Sequence, residues 1–514
     1  MPASRSVLIL AWITERPERA FGAFLGLHAL VWTALPALLY SNLPLDLIEA
    51  LIYGREWQLG YNKLPPLPWW VVEIAYRIAS HDFAYYLLAQ MAIVAGFAAV
   101  FAMARPLVGA LGALVAVLIV DGLHYFNYTA AEFNHDVVQL PFWALAGFAF
   151  HRALRGGETR HWLLLGLAVG LSFWAKYFAL VLALPLGLFV LFDRDARKCL
   201  MTPGPYVALA AALVVMAPHL VWLESNNFLP FAYAEHRALP SRGLIDHAWH
   251  PLQFTISQLF FLIPSLLIAL PLFWPRRCEA PVAPAADAYD RRIVTLLAFG
   301  PMTTVLALSA ITGRGTVAMW SYPLWLFVGS WLVLSARRAL DDKPRKDLRL
   351  DRIGLTWAII FVSLAIAFIG NYGVLPNYDH RYRAVFFPGG DLGREISQRY
   401  RASTGHPLSY VIGSMWDGGN VAHYAPEQLR VLIDGRPARA PWIDLNDLRA
   451  RGAAVVWTDG DLRVIPPALR TIAVDAAVQS PFTLPFRRGD QVLNVGWAIL
   501  LPKPSYALGS TPLP

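Results

Sequence analysis

Long apolar stretches separated by short polar ones fill the first 375 residues. They run over about residues 20–40, 82–104, 107–122, 136–153, 161–175, 177–192, 203–222, 252–274, 293–311, 318–336 and 354–373. About twenty apolar residues in a helix cross a hydrocarbon core roughly 30 Å thick, so the pattern predicts eleven membrane-crossing helices. Several segments are short and the gap at Lys176 is tight, which leaves the count open by two. Pro65 to Ile78 is too short and too proline-rich at its start to cross, and is expected at the interface or dipping into the bilayer edge. After Tyr372 the period changes. Strands are predicted at Leu408–Ile412, Leu429–Ile433, Ala453–Trp457 and Val492–Leu501, and helices at Gly419–Tyr424 and Leu445–Arg451, which is the alternation of a small α/β domain. Gly389-Gly390 and Gly418-Gly419 read as turns. No P-loop, GxGxxG or internal repeat is present.

Composition agrees. With 57% hydrophobic and 15% charged residues and a mean hydropathy of +0.45, the 514-residue chain is not a water-soluble globular protein. Nineteen Trp suit a chain with many membrane interfaces. The net charge of +8 suggests a nucleic-acid partner only until the cations are located. Alternate connections between the apolar segments hold twenty-one Lys and Arg on one side and seven on the other. The positive-inside rule then puts the N-terminus in the cytoplasm. The expected organisation is a transmembrane domain over 1–374 and an extracytoplasmic domain over 375–514. The basic N-terminal stretch precedes an apolar run with no convincing cleavage site, which predicts an uncleaved first span. Cys199 and Cys278 both fall in loops assigned to the cytoplasm and are expected to be reduced.

Acidic and imidazole groups near span ends collect on the opposite side: Asp46, Glu49, Glu56, Asp121, His124, Glu132, His135, Asp136, Glu224, Glu235, His236, Asp246, His247 and His250. Three loops contribute. Ionisable groups at membrane depth are costly, and function is their usual reason. Helical spacing over Leu45–Glu56 puts Asp46, Glu49, Tyr53 and Glu56 on one stripe, opposite Leu47, Ile48, Leu51, Ile52 and Leu59. This predicts a helix lying on the outer leaflet; a solvated face without chemistry is the plainer alternative. His247 and His250 have the spacing of paired metal ligands, but interfacial or capping histidines are the simpler reading.

These residues resemble a family. Asp46 just after the first span, a helix ending in Gly54-Arg55-Glu56-Trp57, then Leu59-Gly60-Tyr61 and Pro65-Pro66-Leu67 before Trp69-Trp70 look like the first outer loop of the family 39-like GT-C glycosyltransferases. That group includes the aminoarabinose-to-lipid-A transferases. The resemblance continues at Glu132-Phe133-Asn134-His135-Asp136 and at Gly166-Leu167-Ala168 through Ala175-Lys176-Tyr177, and covers about the first 190 residues. Met319-Trp320-Ser321-Tyr322-Pro323 occupies a familiar position further on. The resemblance implies a polytopic α-helical GT-C membrane protein of about 11–13 spans with a small C-terminal extracytoplasmic α/β domain. It places Asp46 and Asp136 at the catalytic acidic positions and Lys176 at the basic position that meets the donor phosphate. Lys63, Arg237 and Arg314 are further cations for that phosphate. Glu49, Tyr61, His135, His236 and Tyr322 are candidates to hold acceptor or sugar. The chain departs from the pattern at Asp46-Leu47, where Asp-Glu is common. It departs again at Asn62-Lys63-Leu64, where a carboxylate often precedes the prolines. A metal-ligating group is therefore missing, no cofactor is assigned, and a divalent ion is left without a ligand set.

The implied activity is inverting transfer of a sugar from a polyprenyl-phosphate donor to an outer-face lipid or glycan acceptor such as lipid A or lipopolysaccharide core, with no nucleic-acid partner. Such a reaction needs a base for the acceptor proton, for which Asp46 is the natural candidate, and cations for the departing phosphate. The expected geometry is a pocket on which the outer loops converge. A lipid-linked sugar flippase is the alternative; it would require ionisable groups along a path through the bilayer and related halves, and neither is visible.

Overall fold

A computed structural model describes residues 5–273, 276–277, 287–338, 346–347 and 349–503. The helices of the N-terminal part are α1 (Arg5–Glu15), α2 (Pro17–Leu39), α3 (Leu45–Gly54), α4 (Leu67–Ile78), α5 (Asp82–Asp121), α6 (His135–Gly156), α7 (Thr159–Ala175), α8 (Ala179–Phe192), α9 (Gly204–Ser225), α10 (Leu229–Arg237), α11 (Asp246–Ala269), α12 (Ala288–Thr312), α13 (Val328–Arg338) and α14 (Leu350–Ile369). Every predicted span falls on one of them. Among the described residues six helical segments are long and apolar enough to cross a membrane, at Pro17–Leu39, Asp82–Asp121, Gly204–Ser225, Asp246–Phe273, Ala288–Thr312 and Leu350–Asn377. The protein is a multi-pass membrane protein.

The segments 82–104 and 107–122 are two helices that meet in a kink at Gly109, whose φ of 74° is left-handed; Pro106, three residues earlier, removes a helix hydrogen bond. One element departs from the expected pattern. The segment 318–336 is α-helical only from Val328, after a short 3₁₀ turn at Ala318–Ser321. Before it, Pro323 cannot donate to a helix ladder, and side chains hold the buried turns instead. The Tyr322 hydroxyl donates to Thr129 Oγ1 at 2.5 Å, and Ser321 Oγ donates to the Ala318 carbonyl at 2.6 Å.

The chain divides into two compact units. One comprises Met1–Pro36, Leu59–Leu67 and Tyr86–Phe368; the other comprises Ala37–Gln58, Pro68–Tyr85 and Ile369–Pro514.

Small residues set the helix packing of the first unit. A Cβ on Gly166 would come within 2.2 Å of the Ala208 carbonyl oxygen, and one on Gly170 within 2.8 Å of Val215 Cβ. The stripe of two glycines four apart thus lets α7 lie directly against α9. A polar pin joins α2, α5 and α14: His28 Nδ1 lies 2.9 Å from Asp121 Oδ1, and Trp357 Nε1 donates to Asp121 Oδ2 at 2.7 Å. Phe24, Phe97 and Phe361 surround the imidazole.

The second unit contains a mixed sheet. Its strands are β1 (Tyr410–Gly413), β2 (Arg430–Ile433), β3 (Ala453–Trp457), β4 (Ala477–Val478), β5 (Phe482–Pro485) and β6 (Val492–Leu500), with helices α15 (Gly389–Thr404), α16 (Asp417–Tyr424) and α17 (Leu445–Arg451). The order is β2-β1-β3-β6-β4, with β5 also on β6; β1 is parallel to β2 and β3, whereas β6 runs antiparallel to its neighbours. All residues of β1 and β3 are buried, as their unbroken apolar runs require. The four predicted strands and two predicted helices are all present. The glycine pairs are not turns: Gly389-Gly390 opens α15 and Gly418-Gly419 lies in α16. Three of the four allow close approach: a Cβ on Gly389 would come within 2.3 Å of Asn420 Oδ1, one on Gly418 within 3.1 Å of Val431 Cγ1, and one on Gly419 within 2.7 Å of Ile48 Cγ2.

The α3 helix also differs from expectation. Its apolar residues Leu47, Ile48, Leu51 and Ile52 are buried, but so are Glu49 and Tyr53 on the supposed polar face. Segments of the same unit cover that face: Tyr53 packs between Trp69 and Trp442, at ring distances of 4.5 and 5.7 Å. It is a buried helix rather than a leaflet-bound one.

Candidate active site

The first unit assembles its polar groups at the start of α6 and the end of α7. Asn134 caps α6, its side-chain oxygen accepting from the Asp136 nitrogen at 3.0 Å and the Val137 nitrogen at 3.2 Å. The cap fixes the first turn, where the helix dipole favours a carboxylate at Asp136. The α7 helix stops at Ala175, and Lys176 is extended (φ −163°, ψ 139°). Its ammonium donates to Asp136 Oδ1 at 2.5 Å, and Gln139 Nε2 donates to the same oxygen at 3.2 Å. The two side chains are only 8% and 14% exposed. Lys176 therefore does not extend its ammonium toward headgroups. It faces inward over the rings of Trp320 at 5.3 Å and Phe178 at 5.9 Å.

An ammonium has three donors, and Asp136 engages one of them in the bonds described. The cluster thus holds a cation in a water-poor, aromatic-walled place, with a carboxylate to compensate it and donor capacity to spare. Such a fixed cation stabilises developing anionic charge more than a solvated one does.

The segment 59–67 of the same unit borders this region. His135 Nε2 lies 3.2 Å from the Pro65 carbonyl oxygen. A carbonyl only accepts, so Nε2 carries the proton. Lys63 lies over the Tyr233 ring at 5.7 Å. Tyr61 is buried, as is Tyr322. On the other flank of the segment, His219 Nδ1 lies 2.6 Å from the Leu59 carbonyl and its Nε2 lies 2.9 Å from the Tyr177 hydroxyl. By the same reasoning Nδ1 donates and Tyr177 donates to Nε2. Trp222 lies parallel to the imidazole at 5.8 Å and covers Gly60, where a Cβ would come within 2.2 Å of the indole.

The remaining candidates of this unit sit elsewhere. Arg314 pairs with Glu235 at 2.9 Å, and Gly315 bridges Leu239. The two histidines of the metal-like spacing pack on that loop: His247 Nδ1 lies 2.7 Å from the Ala310 carbonyl, and a Cβ on Gly315 would come within 3.1 Å of His250 Nδ1. Arg237 is exposed on α10, and the His236 side chain lies outside the described residues. Among the described residues, no three His, Cys, Asp or Glu side chains are grouped so as to hold a metal ion. Cys199 is half-buried and unbridged, and Cys278 lies outside the described residues.

Asp46 and Glu49 belong to the second unit. Asp46 is half-buried in the first turn of α3, and Glu49 is 5% exposed one turn on. Both make polar or electrostatic contacts within the fold.

The sequence pattern did not single out Gln139 or His219. A lone histidine in an apolar span was a signal for His219. Trp320 belongs to the 319–323 stretch of the resemblance, but nothing linked it to Lys176, 144 positions away in the chain.

The chain is similar to known proteins in part of its sequence and in its fold. Residues 63–222 match the dolichyl-phosphate-mannose-protein mannosyltransferase family. The chain is similar to the lipopolysaccharide core galacturonosyltransferase RgtA of Rhizobium johnstonii, with 26% identity over 224 residues, 43% of this chain and 44% of that protein. It is also similar to the lipid A galacturonosyltransferase RgtD of the same organism, with 27% identity over 190 residues, 35% of this chain and 39% of that protein. The chain thus aligns with less than half the length of either relative. Its fold is that of ArnT from Cupriavidus metallidurans. The crystal structure bound to undecaprenyl phosphate superposes with a TM-score of 0.61 at 14% identity, covering 98% of this chain and all of that one. The apo structure gives 0.59 at 14% identity, covering 97% of this chain and all of that one. The resemblance to GT-C transferases is therefore present in both sequence and fold, and the family match spans Lys63, His135, Asp136 and Lys176.

Proposed function

From a chain with the GT-C fold, we propose an integral-membrane glycosyltransferase that moves a sugar from a polyprenyl-phosphate donor to lipid A, lipopolysaccharide core or another cell-envelope glycan. The observation that carries this reading is the buried Asp136–Lys176 pair, 2.5 Å apart inside the family-matched segment. RgtA and RgtD are galacturonosyltransferases by name, so a uronic acid is the first donor sugar to test. The membrane is the bacterial inner membrane, with the N-terminus cytoplasmic and residues 375–514 on the outer side.

In the proposed reaction an acceptor oxygen attacks the anomeric carbon from the face opposite the phosphate. The carbon–phosphate-oxygen bond breaks, polyprenyl phosphate departs with the bonding pair, and configuration inverts. Asp46 takes the acceptor proton. Lys176, with Lys63, offsets the charge gathering on the phosphate; Arg237 and Arg314 are secondary candidates. Asp136 holds the Lys176 ammonium at its place. Glu49, Tyr61, His135, His236 and Tyr322 are assigned to acceptor or sugar. Removing a contact that forms fully only in the transition state costs about 10²–10³ in rate.

The test is transfer from labelled polyprenyl-phosphate galacturonic acid to lipid A or core acceptor by purified protein in liposomes. Transfer by the wild type, and its loss by at least a hundredfold in Lys176→Gln that still folds, is the expected result. Movement of the lipid-linked sugar across the bilayer without transfer would replace this reading with the flippase.

A further inference from the structure

The carboxylate helix α3 is held by an arginine nearly four hundred positions away. Arg430, the first residue of edge strand β2, sends its guanidinium fork onto Glu56 just beyond the end of α3. Nε donates to Oε1 at 3.2 Å and Nη2 to Oε2 at 2.6 Å. Nη2 also donates to the Trp442 carbonyl at 3.0 Å, which fixes the plane of the fork. The Glu56 side chain is 9% exposed and that of Arg430 36%, so the carboxylate is shielded while solvent still reaches the guanidinium. Beside it, Arg55 Nη1 donates to the Leu429 carbonyl at 2.9 Å. The turn linking the helix to this clamp is closed by the Glu56 nitrogen donating to the Tyr53 carbonyl at 3.0 Å.

We propose that Arg430 is a positioning residue, which through Glu56 sets the rotation and axial position of α3 and hence the direction of the Asp46 and Glu49 carboxylates. Three features of the contact argue for orientation over mere attachment. The pair is bidentate, and a planar fork on a carboxylate fixes angle as well as distance. It acts at the end of α3 opposite Asp46, a lever of about 15 Å for a ten-residue helix. Close to Asp46 the helix is tightly packed, since a Cβ on Gly419 would come within 2.7 Å of Ile48 Cγ2; this contact and the clamp at the far end together fix where α3 lies. A displacement of about 1 Å at a reacting group costs about a hundredfold in rate.

The consequence for activity rests on the reading of Asp46 as the base; the geometric claim does not. Two measurements separate them. In a background without Cys199 and Cys278, spin labels at Leu45→Cys and Arg436→Cys report the distance between the start of α3 and the sheet. The expected result is a narrow distribution that broadens or shifts in Arg430→Gln and stays narrow in Arg430→Lys with a displaced mean. An unchanged distribution in folded Arg430→Gln overturns the positioning role. In the transfer assay, Arg430→Gln is expected to lower kcat tenfold or more with the donor KM within twofold. The pair-swapped double variant Glu56→Arg with Arg430→Glu is expected to recover part of that loss. A fall in kcat that merely tracks the folded fraction, with no recovery in the swap, also overturns it. Asp46→Asn is assayed alongside: full activity there removes the base assignment and leaves the distance measurement to decide the clamp.

Discussion

At the scale of single residues the buried pair is the most exposed part of the chemistry to mutation. Asp136 and Lys176 are both largely shielded from water, and removing one partner of a buried pair leaves the other charge uncompensated. That penalty is about 3–5 kcal/mol. Lys176→Ala is therefore expected to lower the thermal midpoint in detergent strongly. The double variant Asp136→Asn with Lys176→Gln is expected to lose less than Lys176→Ala alone, because no bare charge is left. A simple sum of two losses in a double-mutant cycle would count against the pair as drawn. Lys176 was legible as a lone cation between apolar segments. Its partner was not assigned, because forty residues separate the two and no local period connects the end of one helix to the start of another.

Between residue and element stands His423 of α16, and it gives the fold a titration of its own. Burial first, and the Arg55 charge second, push its pKa down to about 4 from the ordinary 6.5. The folded ring is thus neutral where the unfolded one is protonated. Between about pH 6.5 and 4 the unfolded chain binds more protons, so stability falls as pH falls, by up to about 1.4 kcal/mol per pH unit from this group. Asp417, on the same helix, acts in the other direction: burial raises its pKa, and the stability it contributes is lost as pH rises through the folded value. The wild-type slope mixes the two. The difference between wild type and His423→Gln isolates the histidine, and thermal unfolding at pH 4.5 and 7 is expected to show a smaller acid loss in the variant. Element boundaries in this part of the chain were largely readable, Leu445–Arg451 and Ala453–Trp457 to the residue. Strands buried on both faces and the acid-capped α17 leave a clear local mark. The burial of α3 left none. Its amphipathic period is real, but the polar stripe is covered by aromatic and strand residues from elsewhere in the chain, and periodicity alone assigns such a stripe to solvent.

At the scale of the whole molecule the question is which side each loop faces, and the polar contacts constrain the answer. Arg105 pairs with Glu18 at 2.9 Å, Arg155 with Asp287 at 2.9 Å, and Arg292 with Asp193 and Asp195 at 2.7 Å each. Each of these contacts joins two loops, or helix ends, that the alternation of spans assigns to the same basic side. Asp136 with Lys176, and Glu235 with Arg314, join loops assigned to the other side. A miscounted span between any of these partners would put them on opposite faces of the bilayer, so the contacts support the alternation itself. They say nothing of its direction, which rests on the excess of cations. Many of those cations are matched by carboxylates, yet the rule counts Lys and Arg and is little affected by Asp and Glu. The direction is tested with single cysteines in a background lacking Cys199 and Cys278. Arg194 is 81% exposed in a loop assigned to the cytoplasm, and Ser403 is exposed in the C-terminal part. A membrane-impermeant maleimide is expected to label Ser403→Cys in intact spheroplasts and Arg194→Cys only after permeabilisation. The opposite pattern would reverse the topology. It would also put the Asp136–Lys176 cluster on the cytoplasmic face, where nucleotide sugars compete with lipid-linked ones as donors, and the proposed donor class would have to be argued afresh.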